Sequence, residues 1–340
     1  MVSFVYVQFG EKRYLNQIRL SISTLEKSIN TDFDYQVLLY CEYKDKITKD
    51  FFGDSSKVMI HNISDGDLAG WTDNRKNIFK AKIKVLQEYF REYSHDVVLV
   101  DSDVLFIADI QKVISQLSKN TFLMDFQCRS LITSLRAMGK CNNKEIQDQK
   151  ILNMKKCYQL LENGIVLDRY RWKADNNTSL YNSGIIGISY ANRMILDEVI
   201  ILEEYLFNNS QYGAVEEVAF SIVFQQYGEI KYIDDILIHY FECKETYYIA
   251  GHILGMLSVD EEEYLAKMLE MYSVYDIRKY ELTLNEANSF MDYLRLVKGN
   301  NEAYFGNEIK AYFYTGDQKL NTWKSENNSR FRKWLRKENS

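Results

Sequence analysis

The 340-residue chain contains no proline. That removes one class of helix and loop punctuation and leaves glycine and asparagine to carry the turns. Its five cysteines, Cys41, Cys128, Cys141, Cys157 and Cys243, are odd in number, scattered, and form no CxxC pair. This argues against both a disulfide framework and a cysteine zinc site, and it fits thiols kept reduced in the cytoplasm. No apolar run reaches membrane-spanning length. The first strand-like segment, residues 2–9, begins at once with no basic or apolar leader before it, so no signal peptide is expected. Positive charge is in deficit: the net charge is −6, which gives no overall case for nucleic-acid binding.

What remains is an ordinary globular composition, 46% hydrophobic and 26% charged, long enough to bury a large core or two compact units. Aromatic residues reach 14%, with 26 tyrosines, a supply suited to stacking or sugar-facing surfaces.

The first hundred residues alternate strand and helix. Strand patterns fall at 4–9, 35–41, 57–63 and 97–106, and helical spacing at 14–29, 44–52 and 77–93. This order predicts a parallel, doubly wound α/β sheet. A short helix at 110–117 and a strand at 121–126 follow. Residues 127–180 are polar and irregular, with helical patches near 150–161, and read as an excursion over the ligand edge of the sheet. Strand character returns at 180–189, with Gly184 and Gly187 inside it, then helices at 193–208 and 215–227 and strand signals at 230–238 ending on His239. Glycine within a strand marks close approach by a ligand or another backbone. Beyond Ser258 the pattern is largely helical. The expected domains are 1–255 and a helical region, 256–340.

The most informative stretch is VVLVDSDVLF, residues 97–106. Four apolar residues run into Asp101-Ser102-Asp103, as expected where a strand buried on both faces reaches the edge of the sheet. Ligands bind at that edge in open α/β sheets. Two acids at i and i+2 there suit a hard divalent cation and the phosphates it carries. A lone DxD is common, and by itself it reads as a strand followed by an ordinary acidic turn.

Further elements stand in a specific order around it: DNRKNIFKAKIKVLQEYF before the DxD strand, then LYNSGIIGI, AVEEVAFSIVF and LIHYFECK. Together, over roughly residues 2–245, they resemble the nucleotide-sugar-dependent glycosyltransferases of the GT-A fold, bacterial DxD members most of all. The resemblance implies a mixed, mostly parallel sheet flanked by helices. It also implies transfer of a sugar from a nucleotide donor, a uridine nucleotide by preference, to a glycan or lipid-linked acceptor in surface polysaccharide or lipo-oligosaccharide assembly. Asp103 would then ligate Mn²⁺ (or Mg²⁺), Asp101 the metal or a ribose, and His239 the metal from the far side of the sheet. Ser102 would lie with the donor. Lys244, and less strongly Lys80, would meet the diphosphate. Phe9, Gly10 and Tyr14 at the first strand's exit would take the base, since an aromatic face stacks and glycine lets backbone come close.

Asn182, Ser183 and Gly184 resemble the segment that lines the donor-sugar pocket, and Asp125 is placed to reach the same sugar. Glu216 and Glu217 stand at a helix start, where an acid is favoured simply by the dipole. One of them would be the general base of an inverting transfer, with Glu217 preferred and Glu216 capping the helix. Retaining members use this region to contact the donor sugar instead. Two departures from the family pattern stand out: no glycine-rich pyrophosphate loop, and no glycine in the YFECK segment after His239.

Two other readings compete. A haloacid-dehalogenase-like phosphatase also places DxD at a strand exit, with Asp234-Asp235 as its later acidic pair. Against it, Leu105 and Phe106 are poor matches, and the motif follows three complete strand units. A sugar-nucleotide-binding module without turnover is the non-enzymatic reading. The segment 330–337, RFRKWLRK, is basic with interleaved aromatics. It reads either as a peripheral contact with an anionic membrane face or as a terminal helix packing its aromatics on the domain.

Overall fold

The computed structural model describes residues 1–10, 14–29, 32–42, 57–106, 108–125, 127–131, 149–233 and 236–239. In chain order the first half contains β1 (Val2–Gln8), α1 (Tyr14–Ser28), β2 (Tyr35–Cys41), β3 (Val58–Asn62), α2 (Asp65–Trp71), α3 (Lys80–Glu92), β4 (Asp96–Val100), β5 (Val104–Phe106), α4 (Gln111–Ile114), β6 (Thr121–Met124) and β7 (Gln127–Ser130). The second half contains α5 (Gln149–Asn163), β8 (Ile165–Leu167), β9 (Tyr170–Trp172), β10 (Ser179–Tyr181), β11 (Ile185–Ile188), α6 (Ile195–Ser210), α7 (Val215–Tyr227), β12 (Glu229–Tyr232) and β13 (Leu237–His239).

Seven strands form one sheet in the order β12-β6-β11-β4-β1-β2-β3. All pairs are parallel except those of β11, which runs antiparallel to both β4 and β6. The mixed, mostly parallel sheet implied by the resemblance is therefore present, and the strand–helix alternation, which by itself predicts a parallel sheet, did not anticipate the antiparallel β11. Successive side chains of a strand point to opposite faces, and the core divides accordingly. Phe4 and Tyr6 of β1 pack with Leu15, Ile18 and Ile22 of α1 on one face. Val5 faces the other layer, where α3, α6 and α7 bring Ile83, Leu86, Val199 and Phe220. On that side Phe122 stacks on Phe224 with ring centroids 4.1 Å apart.

Three expected strands prove to be two each. The apolar run at 97–106 leaves the large sheet after Val100, and Val104–Phe106 pairs instead with β13, antiparallel, with His239 opposite Val104. The run at 180–189 is broken at residues 182–184, where the Asn182 side chain accepts from the Gly184 amide at 2.8 Å. That local bond offers the backbone an alternative to the ladder. The run at 230–238 turns at Ile233, whose carbonyl accepts from Ile236. In each case polar, turn-forming residues interrupt apolar stretches that periodicity alone reads as continuous.

The excursion is more regular than its sequence suggests. It carries the 15-residue helix α5, the β8–β9 hairpin and the β7–β10 pair. The hairpin is pinned to the main body by Trp172, whose indole donates to Glu198 at 2.8 Å, while Tyr227 donates to the same carboxylate at 2.6 Å. The chain enters α3 through an unusual turn: Asp73, Asn74 and Arg75 are all left-handed, at φ 50°, 58° and 65°. The Thr72 hydroxyl accepts from the Arg75 amide and the Ala69 carbonyl from the Asn74 amide. The expected helix at 44–52 and everything beyond His239 lie outside the described residues. Among the described helices, none is long and apolar enough to cross a membrane.

Gly187 of β11 sits at the centre of the sheet. A Cβ there would come within 2.7 Å of the Leu123 Cβ on β6. Gly187→Ala therefore overpacks the strand pair, with an expected loss of about 1–3 kcal/mol of folding stability in urea titrations.

Candidate functional site

The site forms where strands end. Asp101 is the first residue after β4, and its amide donates to the Gly184 carbonyl at 2.8 Å, just ahead of β11. Two residues on, Asp103 leads into β5. Because β13 pairs with β5 in the register noted above, His239 is delivered directly beside it: His239 Nε2 lies 3.2 Å from Asp103 Oδ1. The other ring nitrogen, Nδ1, lies 2.6 Å from Oδ2 of Asp125, at the end of β6. Asp101, Asp103 and His239 each offer a ligand atom, and these atoms all lie within 4.8 Å of one another. Two carboxylates and one imidazole are the oxygen and nitrogen donors that Mn²⁺ takes well and Mg²⁺ less well. The residues present thus fit a divalent cation.

A buried ammonium organises the other side. Lys82, on the first turn of α3, donates to Asp101 Oδ2 at 2.7 Å and to the carbonyl and hydroxyl of Ser183, both at 3.1 Å. The Ser183 hydroxyl in turn donates to Glu216 Oε1 at 2.8 Å, and Lys82 lies 3.7 Å from that oxygen. Burial works against the charge on Lys82, but Asp101 and Glu216 outweigh it and raise its pKa. Sequence reasoning selected Lys80 and missed Lys82. Two residues apart on a helix, the pair points about 200° apart. Lys80 is held instead by Asp73 at 2.9 Å and Glu204 at 2.8 Å. Both lysines are buried, so burial alone does not separate them; what marks Lys82 is that its side of the helix meets the strand ends at Asp101 and Ser183.

Electrostatics in the site are dominated by acids. Burial pushes Asp101 up to about 6 even with Lys82 beside it. Burial pushes Asp103 upward as well, but the His239 charge and hydrogen bond outweigh it and hold the carboxyl below the usual range. His239 loses basicity to burial and regains more from Asp103 and Asp125, reaching about 10. Glu217 is driven up to about 8 by burial and then by Glu216, with Lys82 and His239 acting in the opposite direction. Glu216 does not cap its helix as expected. It is buried, bonds Ser183 and leaves Oε2 with no partner among the described residues.

The other selected residues are distributed as follows. The Asn182 carbonyl accepts from the Asp125 amide at 3.2 Å, which ties the two loops together. Ser102 turns away from the carboxylates and donates to Gln17 on α1. Gly10 has φ 82°, and its amide donates to Glu42 at 2.7 Å; Phe9 packs on the core beside it, and Tyr14 opens α1. Lys244, Asp234 and Asp235 lie outside the described residues.

No protein-family model matches the sequence, and no curated protein does. Among solved structures, the chain is similar to the galactosyltransferase LgtC in complex with donor and acceptor sugar analogues. The identity is 12% and the TM-score 0.41, over 68% of this chain and 72% of that one. It is also similar to the bifunctional glycosyltransferase WbbM, at 12% identity and TM-score 0.40, over 68% of this chain and 38% of the other. Mouse xyloside xylosyltransferase 1 follows at 9% and 0.40, over 68% and 84%.

A further acid is buried on α6. Glu203 is fully enclosed and accepts from the Asn77 side chain at 2.6 Å. Burial raises its pKa to about 7, against the pull of Asn77 and Lys80. The folded state therefore keeps this proton over a pH range in which the unfolded chain has lost it. Stability falls as pH rises from about 4.5 to about 7 and is level above, a loss of roughly 3 kcal/mol from this group. Glu203→Gln should remove that component, so denaturant titrations of the variant at pH 5 and pH 8 should differ less than those of the wild type.

Proposed function

We propose that the protein is a metal-dependent glycosyltransferase that moves a sugar from a nucleotide-diphosphate donor, a uridine nucleotide by preference, to a glycan or lipid-linked acceptor. The observation that carries this reading is the convergence of Asp101, Asp103 and His239 from three strand ends at one point, with their donor atoms within 4.8 Å. The strand edges of open α/β sheets are where phosphate-bearing ligands bind. Sugar transfer of this kind passes through an oxocarbenium-like state, and the departing diphosphate gathers negative charge. A cation held by these three residues would supply Lewis-acid neutralisation of that charge.

The chain's own groups fill the remaining roles. Phe9, Gly10 and Tyr14 take the base at the exit of β1. Lys82 keeps Asp101 ionised and fixes its orientation. Asn182, Ser183 and Gly184 line the donor-sugar pocket, and Lys244 meets the diphosphate. Glu217 takes the acceptor's hydroxyl proton in an inverting transfer; a pKa raised into the working range suits a general base. The setting that fits is assembly of surface polysaccharide or lipo-oligosaccharide, with residues 330–337 resting on the membrane face where a lipid-linked acceptor would lie. The C-terminal residues 256–340 form the accessory helical region of this reading.

UDP should raise the melting temperature in the presence of Mn²⁺ and fail to do so in chelator. Asp103→Ala should abolish both that shift and sugar transfer while leaving a cooperative unfolding transition. Equal stabilisation with and without metal would remove the metal from the reading. For the base, Glu217→Gln should lower kcat by about 10²-fold or more with little change in donor binding. Wild-type kcat should rise with pH as Glu217 loses its proton. A near-normal kcat in the variant would point to retention, and the anomeric configuration of the product by NMR reports that independently.

A further inference from the structure

Asp125 was selected from the sequence as a sugar contact, and in the structure one oxygen of its carboxylate meets His239. Asp125 is buried at the end of β6, 2.6 Å from His239 Nδ1. Its backbone is tied on both sides: the amide donates to Asn182 at 3.2 Å, and the carbonyl accepts from Ile233 at 2.8 Å. The carboxylate thus has little freedom to move away. The imidazole it meets is fixed from a different direction, by the register of β13 on β5.

Gly184 shows how closely the chain is shaped around this pair. A Cβ at 184 would lie 2.3 Å from His239 Nδ1 and 3.0 Å from Asp125 Oδ2. The absence of a side chain at that position is what lets carboxylate and imidazole meet. Gly184 has no left-handed backbone to explain it, since Gly10 and Gly164 are the described glycines at positive φ. Close packing against His239 and Asp125 is therefore the physical reason for a glycine here.

The two nitrogens of an imidazole point away from each other across the ring. With Nδ1 held by Asp125, Nε2 is aimed toward Asp101 and Asp103. We infer that Asp125 is a positioning residue: it fixes the His239 ring so that Nε2 serves the divalent-cation site, and it acts on the cation through His239. The inference rests on the metal reading proposed above. A carboxylate on the far nitrogen of a metal-bound histidine selects the tautomer, restrains the ring and strengthens the ligating nitrogen. Loss of such a partner typically weakens metal binding about 10–100-fold.

The experiment uses Mn²⁺ alone on the full chain, with calorimetry for affinity and pulsed electron paramagnetic resonance for the imidazole ¹⁴N signature on bound Mn²⁺. Wild-type protein should bind Mn²⁺ and show the signature. The near-isosteric Asp125→Asn should bind about 10-fold or more weakly and show a diminished ¹⁴N signature at saturating Mn²⁺. Asp125→Ser provides the same readout should the Asn variant fold poorly, and metal-free melting curves check both. A folded variant with wild-type affinity and an unchanged signature overturns the inference and returns Asp125 to sugar contact, leaving the metal reading intact. Wild-type protein that binds no Mn²⁺ overturns the metal reading itself and this inference with it.

Discussion

The Lys82 ammonium is the constraint around which the site is arranged. It touches the exit of β4 through Asp101, the turn before β11 through Ser183, and the start of α7 through Glu216. Four segments distant in sequence are thereby fixed to one point. Buried ion pairs seldom add much net stability compared with apolar packing, because the cost of removing charges from water offsets their attraction. What Lys82 contributes is geometry. It sets where one oxygen of Asp101 points and leaves the other side of that carboxylate toward Asp103 and His239.

The same cluster carries more acid than base. Asp101, Asp103, Asp125, Glu216 and Glu217 gather near Lys82 and His239, and Glu203 lies within reach of Lys80 and Glu216. The excess shows itself in the protons these groups hold: Asp101, Glu203 and Glu217 are pushed up to about 6, about 7 and about 8, in each case first by burial. The Oε2 atoms of Glu203 and Glu216, buried and without a hydrogen-bond partner among the described residues, belong to the same imbalance.

Much of this was legible in the sequence, for identifiable reasons. The apolar strand runs and the spacing of Leu15, Ile18 and Ile22 pointed to an α/β sheet and its first helix, because a strand buried on both faces reads as an unbroken apolar run and a helix buried on one face keeps a 3.6-residue period. Asp101 and Asp103 stood out because polar residues at the end of an apolar run are conspicuous, whereas Asn182, Ser183 and His239 came only from the resemblance of the ordered motifs. Lys82 was not found, because one lysine on a helix looks like another until the side that meets the strand ends is known. Glu216 was assigned to capping because helix starts favour acids in general; only the packing of α7 against the β10–β11 turn reveals that it bonds Ser183. The strand breaks at 101–103 and 182–184 were hidden because periodicity registers apolar content and is blind to which sheet a strand joins.

The reversed strand β11 has a consequence for the order in which the molecule is made. It lies between β4 and β6, so those two strands, though earlier in the chain, cannot be joined in the sheet until residues 185–188 are available. Until then β4 keeps one open edge made of Val97, Val98, Leu99 and Val100, a run that invites pairing with a neighbouring chain. Pairing β11 with β4 joins residues as far apart as Val97 and Ile188, and contacts that distant in sequence form slowly. His239 arrives later still. The period between synthesis of β4 and insertion of β11 is therefore when the nascent chain most needs shielding from its neighbours, and the Asp101–Asp103–His239 cluster is complete only after that danger has passed.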